Sequence, residues 1–413
     1  MANFSIKQIV KPSLSDDGIF VQELLELLNL EDKLTAMLLR ALKIKDIKND
    51  FIKITGAKQL VKIQKGIKSN FYKEDLVSSL KNITIYNGDN FTLNFSNLRK
   101  NKYFSNQALN EIITYPIYSS KNDFFAGLYG MDKYANSLIR NGLSDVLLSN
   151  IDLLKTKEIS KNKRKYRILH DLEDNKFYLR AIISTGRYNN YDNNIAIVIA
   201  LLTIHKRMKE QNISYSIDRV EYNESYIRLF FAQKDKRKLE NNLGYVKNMI
   251  EVSNDEIKRE ALRFDAISNV EFIDTNNEPQ SLIIQPSVKK SKINTSILSI
   301  RHSVTSETLA KQLTEIKNSE EIHKSLFSEI SEISKITNPS QIIFFLKKKI
   351  ELAKSEYMKN HKGKITDLLN KQTVTNMIQL FTLFKKIELI TENDIEASEY
   401  IRYIIYESLT SKK

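Results

Sequence analysis

The stretch Arg164-Lys165-Tyr166-Arg167-Ile168-Leu169-His170-Asp171-Leu172-Glu173-Asp174-Asn175-Lys176-Phe177-Tyr178-Leu179-Arg180-Ala181-Ile182-Ile183-Ser184 decides how this chain is read. Residues 164–170 alternate as a strand does, Glu173-Asp174-Asn175 carries turn chemistry, and residues 176–184 form a second strand ending in Ile182-Ile183. A polar loop over 185–193 follows. Asp192 or Asn193 then caps an expected helix from about Asn194 to Lys209. Residues 214–220 and 226–231, separated by Glu221-Tyr222-Asn223-Glu224, read as another hairpin. The order strand, strand, helix, strand, strand predicts an α+β fold whose central antiparallel sheet and packed helix form a compact ββαββ unit.

Towards the N-terminus the reading is helical. Ser15-Asp16-Asp17 is expected to cap a helix bearing Ile19, Phe20, Leu24, Leu27 and Leu28, and a second helix carries Leu34, Met37, Leu38, Leu39 and Leu42. Phe51-Ile52-Lys53-Ile54 alternates like a short strand, and Thr55-Gly56 turns into another helix. Two alternating runs, 83–86 and 91–95, flank Asn87-Gly88, a hairpin signal. A region of mixed character with Pro116, Gly127, Gly130 and Gly142 separates this from the central block.

Towards the C-terminus, a charged stretch over 254–264 reads as helical, and Leu282-Ile283-Ile284 as a strand fenced by Pro279 and Pro286. From Thr305 onward, Leu309, Leu313, Ile316, Ile322, Leu326, Ile330 and Ile333 recur at helical steps. Further helices are expected around 342–359, 373–389 and 395–409. The chain therefore divides into a helical or mixed region 1–100, a central α+β domain 101–304 and a C-terminal helical domain 305–413.

Composition narrows the function. The 413 residues include 64 Lys+Arg against 50 Asp+Glu, a formal net charge of +14, and no cysteine. Without cysteine there is no disulfide, thiolate zinc site, iron–sulfur cluster or cysteine nucleophile. The longest apolar stretch, over 195–204, is far shorter than the roughly 20 residues of a membrane helix. No charged-then-apolar leader opens the chain, so a cytoplasmic protein without a membrane partner is expected. The basic surplus favours a polyanionic partner. A general Lys/Asn/Ile bias, such as AT-rich coding sequence produces, accounts for part of it.

Two clusters give the charge a place. In Gly186-Arg187-Tyr188-Asn189-Asn190-Tyr191-Asp192-Asn193 an arginine and two tyrosines precede a helix N-terminus, whose free N–H groups attract phosphate. Tyr188 and Tyr191 can stack on bases while Arg180 and Arg187 hold phosphates. The plainer alternative packs both tyrosines under the sheet and leaves Asp192 a simple cap. The run Lys155, Lys157, Lys161, Lys163, Arg164, Lys165 and Arg167 enters a strand and can form a phosphate-binding surface, although a solvated linker has the same composition. The expected nucleic-acid-binding residues are therefore Lys161, Lys163, Arg164, Lys165, Arg167, Arg180, Arg187, Tyr188 and Tyr191. The lysines over 43–68 are spaced around apolar residues, as on the solvent side of short helices.

Enzymatic patterns are poor. The five histidines have no metal-site spacing, and His170-Asp171 with Glu173 and Asp174 is explained by the turn. Glu256-x-Lys258 matches only the tail of a nuclease motif, and phosphate-loop, dinucleotide and hydrolase-elbow patterns are absent. No catalytic residue, metal or cofactor is expected. The amphipathic tail, with Phe344-Phe345-Leu346 and Ile401, Tyr403, Ile404, Ile405 and Tyr406, reads as bundle core or as a self-association surface.

Arg180-Ala181, the Ser184 to Tyr188 element, Asp192-Asn193 and the later pair Arg301-His302 carry a resemblance. Over roughly residues 160–305 the chain resembles a phage- and plasmid-associated domain family of unknown function, and the strand pair over 218–230 also fits. It departs from that family in lacking the Cys-Asn-Gly element before the Arg-His pair. The family has no established activity, so the resemblance implies a mobile-element setting rather than a mechanism. The expected function is a non-enzymatic nucleic-acid-binding protein of a phage, prophage or plasmid, with single-stranded DNA in replication or recombination as one target. The alternatives are a self-assembling interaction protein, homo-oligomeric through its C-terminal helices, and a metal-dependent nuclease.

Overall fold

A computed structural model describes residues 9–12, 14–87, 91–100, 108–185, 188–257, 260–287, 293–314, 319–336 and 339–410. The chain opens with β1 (Ile9–Pro12), the short pair β2 (Ile19–Phe20) and β3 (Phe51–Ile52), and helices α1 (Val21–Leu25), α2 (Lys33–Ala41), α3 (Ile44–Ile47) and α4 (Ala57–Asn70). Strands β4 (Phe71–Ser79), β5 (Ile83–Asn87), β6 (Phe91–Phe95) and β7 (Ile112–Pro116) follow, then helices α5 (Ser120–Ala126), α6 (Asp132–Arg140) and α7 (Ser144–Lys155). The hairpin β8 (Lys163–Asp171) and β9 (Lys176–Ile183) leads to α8 (Asn193–Gln211). Next come β10 (Tyr215–Tyr222), β11 (Tyr226–Lys238), β12 (Tyr245–Asp255), β13 (Leu262–Ile273), β14 (Pro279–Ile284) and β15 (Ser296–Ile300). Helices α9 (Ser306–Thr314), α10 (Ser319–Ser334), α11 (Ser340–Leu352), α12 (Glu356–Lys371), α13 (Met377–Thr391) and α14 (Ile395–Thr410) complete the described chain. The fold is α+β, with helices at both ends.

The expected element order holds in the centre, but its two hairpins lie in different sheets. One sheet has the order β4-β8-β9-β7-β6-β5, and the other β1-β10-β11-β12-β13-β14 with β15 also on β13. The physical reason is that β7 pairs in parallel with β9, Thr114 opposite Phe177, so β9 has no free edge for β10. The division at residue 100/101 passes through the first sheet, which takes β4 to β6 from before it and β7 to β9 from after it.

Three cores result. The first sheet packs Leu76, Phe95, Tyr166 and Leu179 against α5 to α7 through Phe124, Phe125, Leu147 and Ile151. One face of the second sheet, with Leu229, Phe231, Ile250 and Phe264, meets α4 and α8. The helices α10 to α14 close a third core over β13 and β14. Helix α8 is buried on all sides from Ile195 to His205, which explains why its sequence is apolar all round rather than striped.

Four local readings change. The described residues of the 254–264 stretch are not helical: the ends of β12 and β13 pair there, with Val252 opposite Phe264. Glu256, Glu260, Arg263 and Asp265 meet charged partners, which removed the polar–apolar alternation that marks a half-exposed strand. Asp16 caps a helix, but α4 rather than its own neighbour. Its Oδ1 accepts from the N–H groups of Gly18, Gly56 and Lys58, and its Oδ2 from that of Gln59 at 2.7 Å. The expected helix over 342–359 breaks at residues 353–355 into α11 and α12. The mixed region after Pro116 contains α5, α6 and α7, the first ending at Gly127 and the second entered after Gly130 at φ 69°.

Candidate functional site

Strands β8 and β9 bring two arginines to the junction of the sheets. Opposite the step from Arg167 to Ile168, the pairing on β9 jumps from Ala181 to Leu179, which leaves Arg180 as the extra residue of a bulge. A bulge re-aims the side chain it carries. Here Arg180 turns to Glu256, just beyond β12, with Nη1 2.7 Å from Oε2. Lys73 on β4 donates to both oxygens of that carboxylate at 2.8 Å, and the N–H of Asn193 donates to Oε1 at 3.0 Å. An acid of the second sheet therefore occupies the N-terminus of α8, the place where a phosphate was anticipated.

Arg167 completes the centre. Its Nη1 donates to the Glu256 carbonyl at 2.6 Å, its Nη2 to both Asp192 oxygens at 2.8 and 3.0 Å, and its Nε to Asp75 at 3.2 Å. Asp192 is the residue before α8, yet its carboxylate serves Arg167 instead of the helix. Burial alone would raise the Glu256 carboxyl, but Lys73, Arg180 and Arg167 outweigh it and hold the group at about 2. Burial similarly disfavours the Lys73 ammonium and pushes its pKa down, with Glu256 opposing. Desolvated charges persist when paired in this way, and removing one partner is strongly destabilising.

The loop before α8 is tied down by the segment after β15. Tyr188 stacks on His302 with centroids 4.8 Å apart and planes 4° from parallel, and its hydroxyl donates to the Glu256 carbonyl at 3.0 Å. The Asn189 amide N–H donates to the His302 carbonyl at 2.7 Å, and the Tyr191 hydroxyl to that of Val304 at 3.0 Å. Arg180, Tyr188, Asp192-Asn193 and His302, dispersed in sequence, thus converge on one centre.

No family model, curated protein or solved structure matches the chain.

The nine expected binding residues separate into two groups and one outlier. Arg167, Arg180 and Tyr191 are buried, Tyr188 is half-buried, and Lys165 lies 3.5 Å from Asp75 in the same network. Lys161, Lys163 and Arg164 lie towards the other end of β8. There Lys161 pairs with Glu158 at 2.6 Å, Lys163 is exposed, and Arg164 donates to the Gly127 carbonyl. Arg187 lies outside the described residues. The centre also includes Lys73 and Asp75, which the sequence reading did not single out. Their signal is the alternation of charges within Lys73-Glu74-Asp75, unusual in a strand that leads into a core.

Metal chemistry finds no prepared ligands: among the described residues no group of three or more His, Asp or Glu is arranged around a common point. His170 bonds Asn175 and stacks on Phe177, and Asp174 accepts from the Tyr178 hydroxyl at 2.6 Å. No described helix is long and apolar enough to cross a membrane.

A different surface keeps its charge available. Lys43, Lys45, Lys48, Lys53, Lys58, Lys62, Lys65 and Lys68 are all exposed. Among the described residues only Lys65 of this set forms an ion pair, with Glu26 at 2.6 Å. Asp50, the nearest acid in sequence to Lys53, is taken by Lys209 and His205.

Proposed function

We propose that the chain is a non-enzymatic nucleic-acid-binding protein, of a phage, prophage or plasmid as its resemblance suggests. One observation carries the reading: the exposed, largely unpaired lysines over 43–68, arranged on the solvent side of α3, β3 and α4. Such a surface binds a phosphate backbone through counterion release, with little need for base contacts. The ion-pair centre then has a supporting role, since Arg167 and Arg180 brace the two sheets and leave contact to exposed lysines. Fluorescence anisotropy with a labelled oligonucleotide tests this. Binding should weaken steeply between low and moderate salt, and no binding at low salt would sink the proposal.

A second reading, self-association, draws on Phe344 and Leu352 of α11, each 64% exposed and two turns apart on one side of the helix. Light scattering should then show a dimer or larger species that Phe344→Glu/Leu352→Glu converts to monomer. A monomer at every concentration would retire it.

A further inference from the structure

A cleft of about 600 Å³ opens on the second sheet, away from the ion-pair centre, where the β11–β12 hairpin ends and β13 and β14 run on past it. Cross-strand register builds it in rows. Lys238 lies opposite Tyr245, Tyr245 opposite Glu271, and Glu271 opposite Ser281, with Lys236 opposite Lys247 in the adjoining row. Residues opposite one another share a sheet face, so an aromatic ring, three lysines and a single acid line up on one side.

The charges do not cancel. Glu271 is shared by Lys247 at 2.5 Å and Lys236 at 3.4 Å, while Lys238 on the same face is exposed. Tyr245 is 39% exposed and Ile273 beside it 54%, and the Lys236 ammonium rests 4.5 Å from the Tyr245 ring centroid. That exposed cation–π contact is readily exchanged for a stronger anion. The rim is fixed by unusual backbone: Asn241 and Asn242 have φ of 57° and 54°, and Gly244 has φ of 119°. A Cβ on Gly244 would stand 1.9 Å from the Glu271 carbonyl oxygen, so only glycine lets β12 start this close to β13. Left-handed residues of this kind gather at binding sites more often than elsewhere.

We propose that this cleft holds one nucleotide unit, its base stacked on Tyr245 against Ile273 and its phosphate met by Lys236 and Lys238. An open apolar-and-aromatic floor edged by lysines suits a planar base with an attached anion, and stacking tolerates any base. The inference rests on the nucleic-acid reading above and adds to it a second contact point, one that selects unstacked bases. A free nucleotide and a nucleotide within a single strand share this chemistry.

The test titrates the full-length protein with adenosine monophosphate and with a labelled single-stranded oligonucleotide, using Tyr245→Ala, Tyr245→Phe and Lys58→Glu/Lys62→Glu. Tyr245→Ala should weaken binding of the oligonucleotide roughly ten-fold while Tyr245→Phe stays near wild type, each with an unchanged melting temperature. If adenosine monophosphate also binds and is lost in Tyr245→Ala, a free nucleotide is the occupant; if only the oligonucleotide responds, it is a single strand. Wild-type affinity in Tyr245→Ala, alongside a loss in the Lys58/Lys62 variant, overturns the cleft and leaves the broader reading standing. No oligonucleotide binding by the wild type overturns both. Equal, Tyr245-dependent binding of an oligoglutamate peptide, which has charge but no bases, overturns base recognition.

Discussion

Arg180 and Glu256 meet at 2.7 Å with both side chains essentially without solvent contact, one from β9 of the first large sheet and one from the turn that follows β12 of the second. The pair joins sheets whose strands share no ladder; Lys73 and the N-terminus of α8 converge on the same carboxylate, and Arg167 holds the Glu256 backbone carbonyl. Glu256→Ala strands the buried Arg180 guanidinium and the half-buried Lys73 ammonium beside an unoccupied helix terminus. A loss of about 3–5 kcal/mol in urea unfolding is expected, with Arg180→Ala of similar size. A loss under about 1 kcal/mol would show that the sheets are held together by other contacts.

Acid behaviour follows from the same carboxylate. Glu256 has its folded pKa held near 2, below the ordinary value of 4.5. Its contribution is present above pH 4.5 and is lost as pH falls towards 2. Thermal melts should therefore fall on acidification, and Glu256→Gln should flatten that fall.

A second buried seam has the opposite sign. Glu251 of β12 is pushed up to about 8 by burial and by Glu399 of α14, with Arg228 and Arg263 opposing and Asp265 reinforcing. Its protonated form is favoured in the folded state, so its contribution is complete below about pH 4.5 and lost as pH rises through 8. Arg228 lies 3.6 Å from Glu399, placing α14 on this seam. After correction for the intrinsic rise of amide exchange with pH, protection in α14 should fall as pH rises from about 5 to about 8, and Glu251→Gln should remove that fall.

Asp16 caps α4 across a long stretch of chain. Asp16→Ala frees four N–H groups, among them those of Gly56, Lys58 and Gln59. A destabilisation of about 1–2 kcal/mol is expected by chemical denaturation, at the high end for a cap. An unchanged midpoint would assign the start of α4 to packing of Ala57 and Leu60 instead.

Binding and stability should separate by residue. Lys58→Glu/Lys62→Glu is expected to weaken nucleic-acid affinity, to lower the salt slope by about 1–2 and to leave the melting temperature in place. Arg167→Met should do the reverse, lowering the melting temperature through Asp75 and Asp192 while the salt slope stays as it is. Equal effects of both variants on the slope would return Arg167 to the binding surface.

Sequence by itself determined the local elements whose signals are local. The β8–β9 hairpin, α8, the β10–β11 hairpin, the strand pair around Asn87 and the helical tail were all legible, because alternation, turn residues and caps act over a few positions. Tertiary structure alone decided which strands share a sheet, since the parallel pairing of β7 with β9 depends on partners some sixty residues apart. It also decided what the charges do. Arg167 and Lys163 look alike in one basic run and share a face of β8, yet Arg167 lies mid-strand against Asp75, Asp192 and the Glu256 carbonyl while Lys163 stands at the exposed start of the strand. A basic residue's type states its charge; only the long-range contacts around it state whether that charge is spent on an internal acid or remains for a partner.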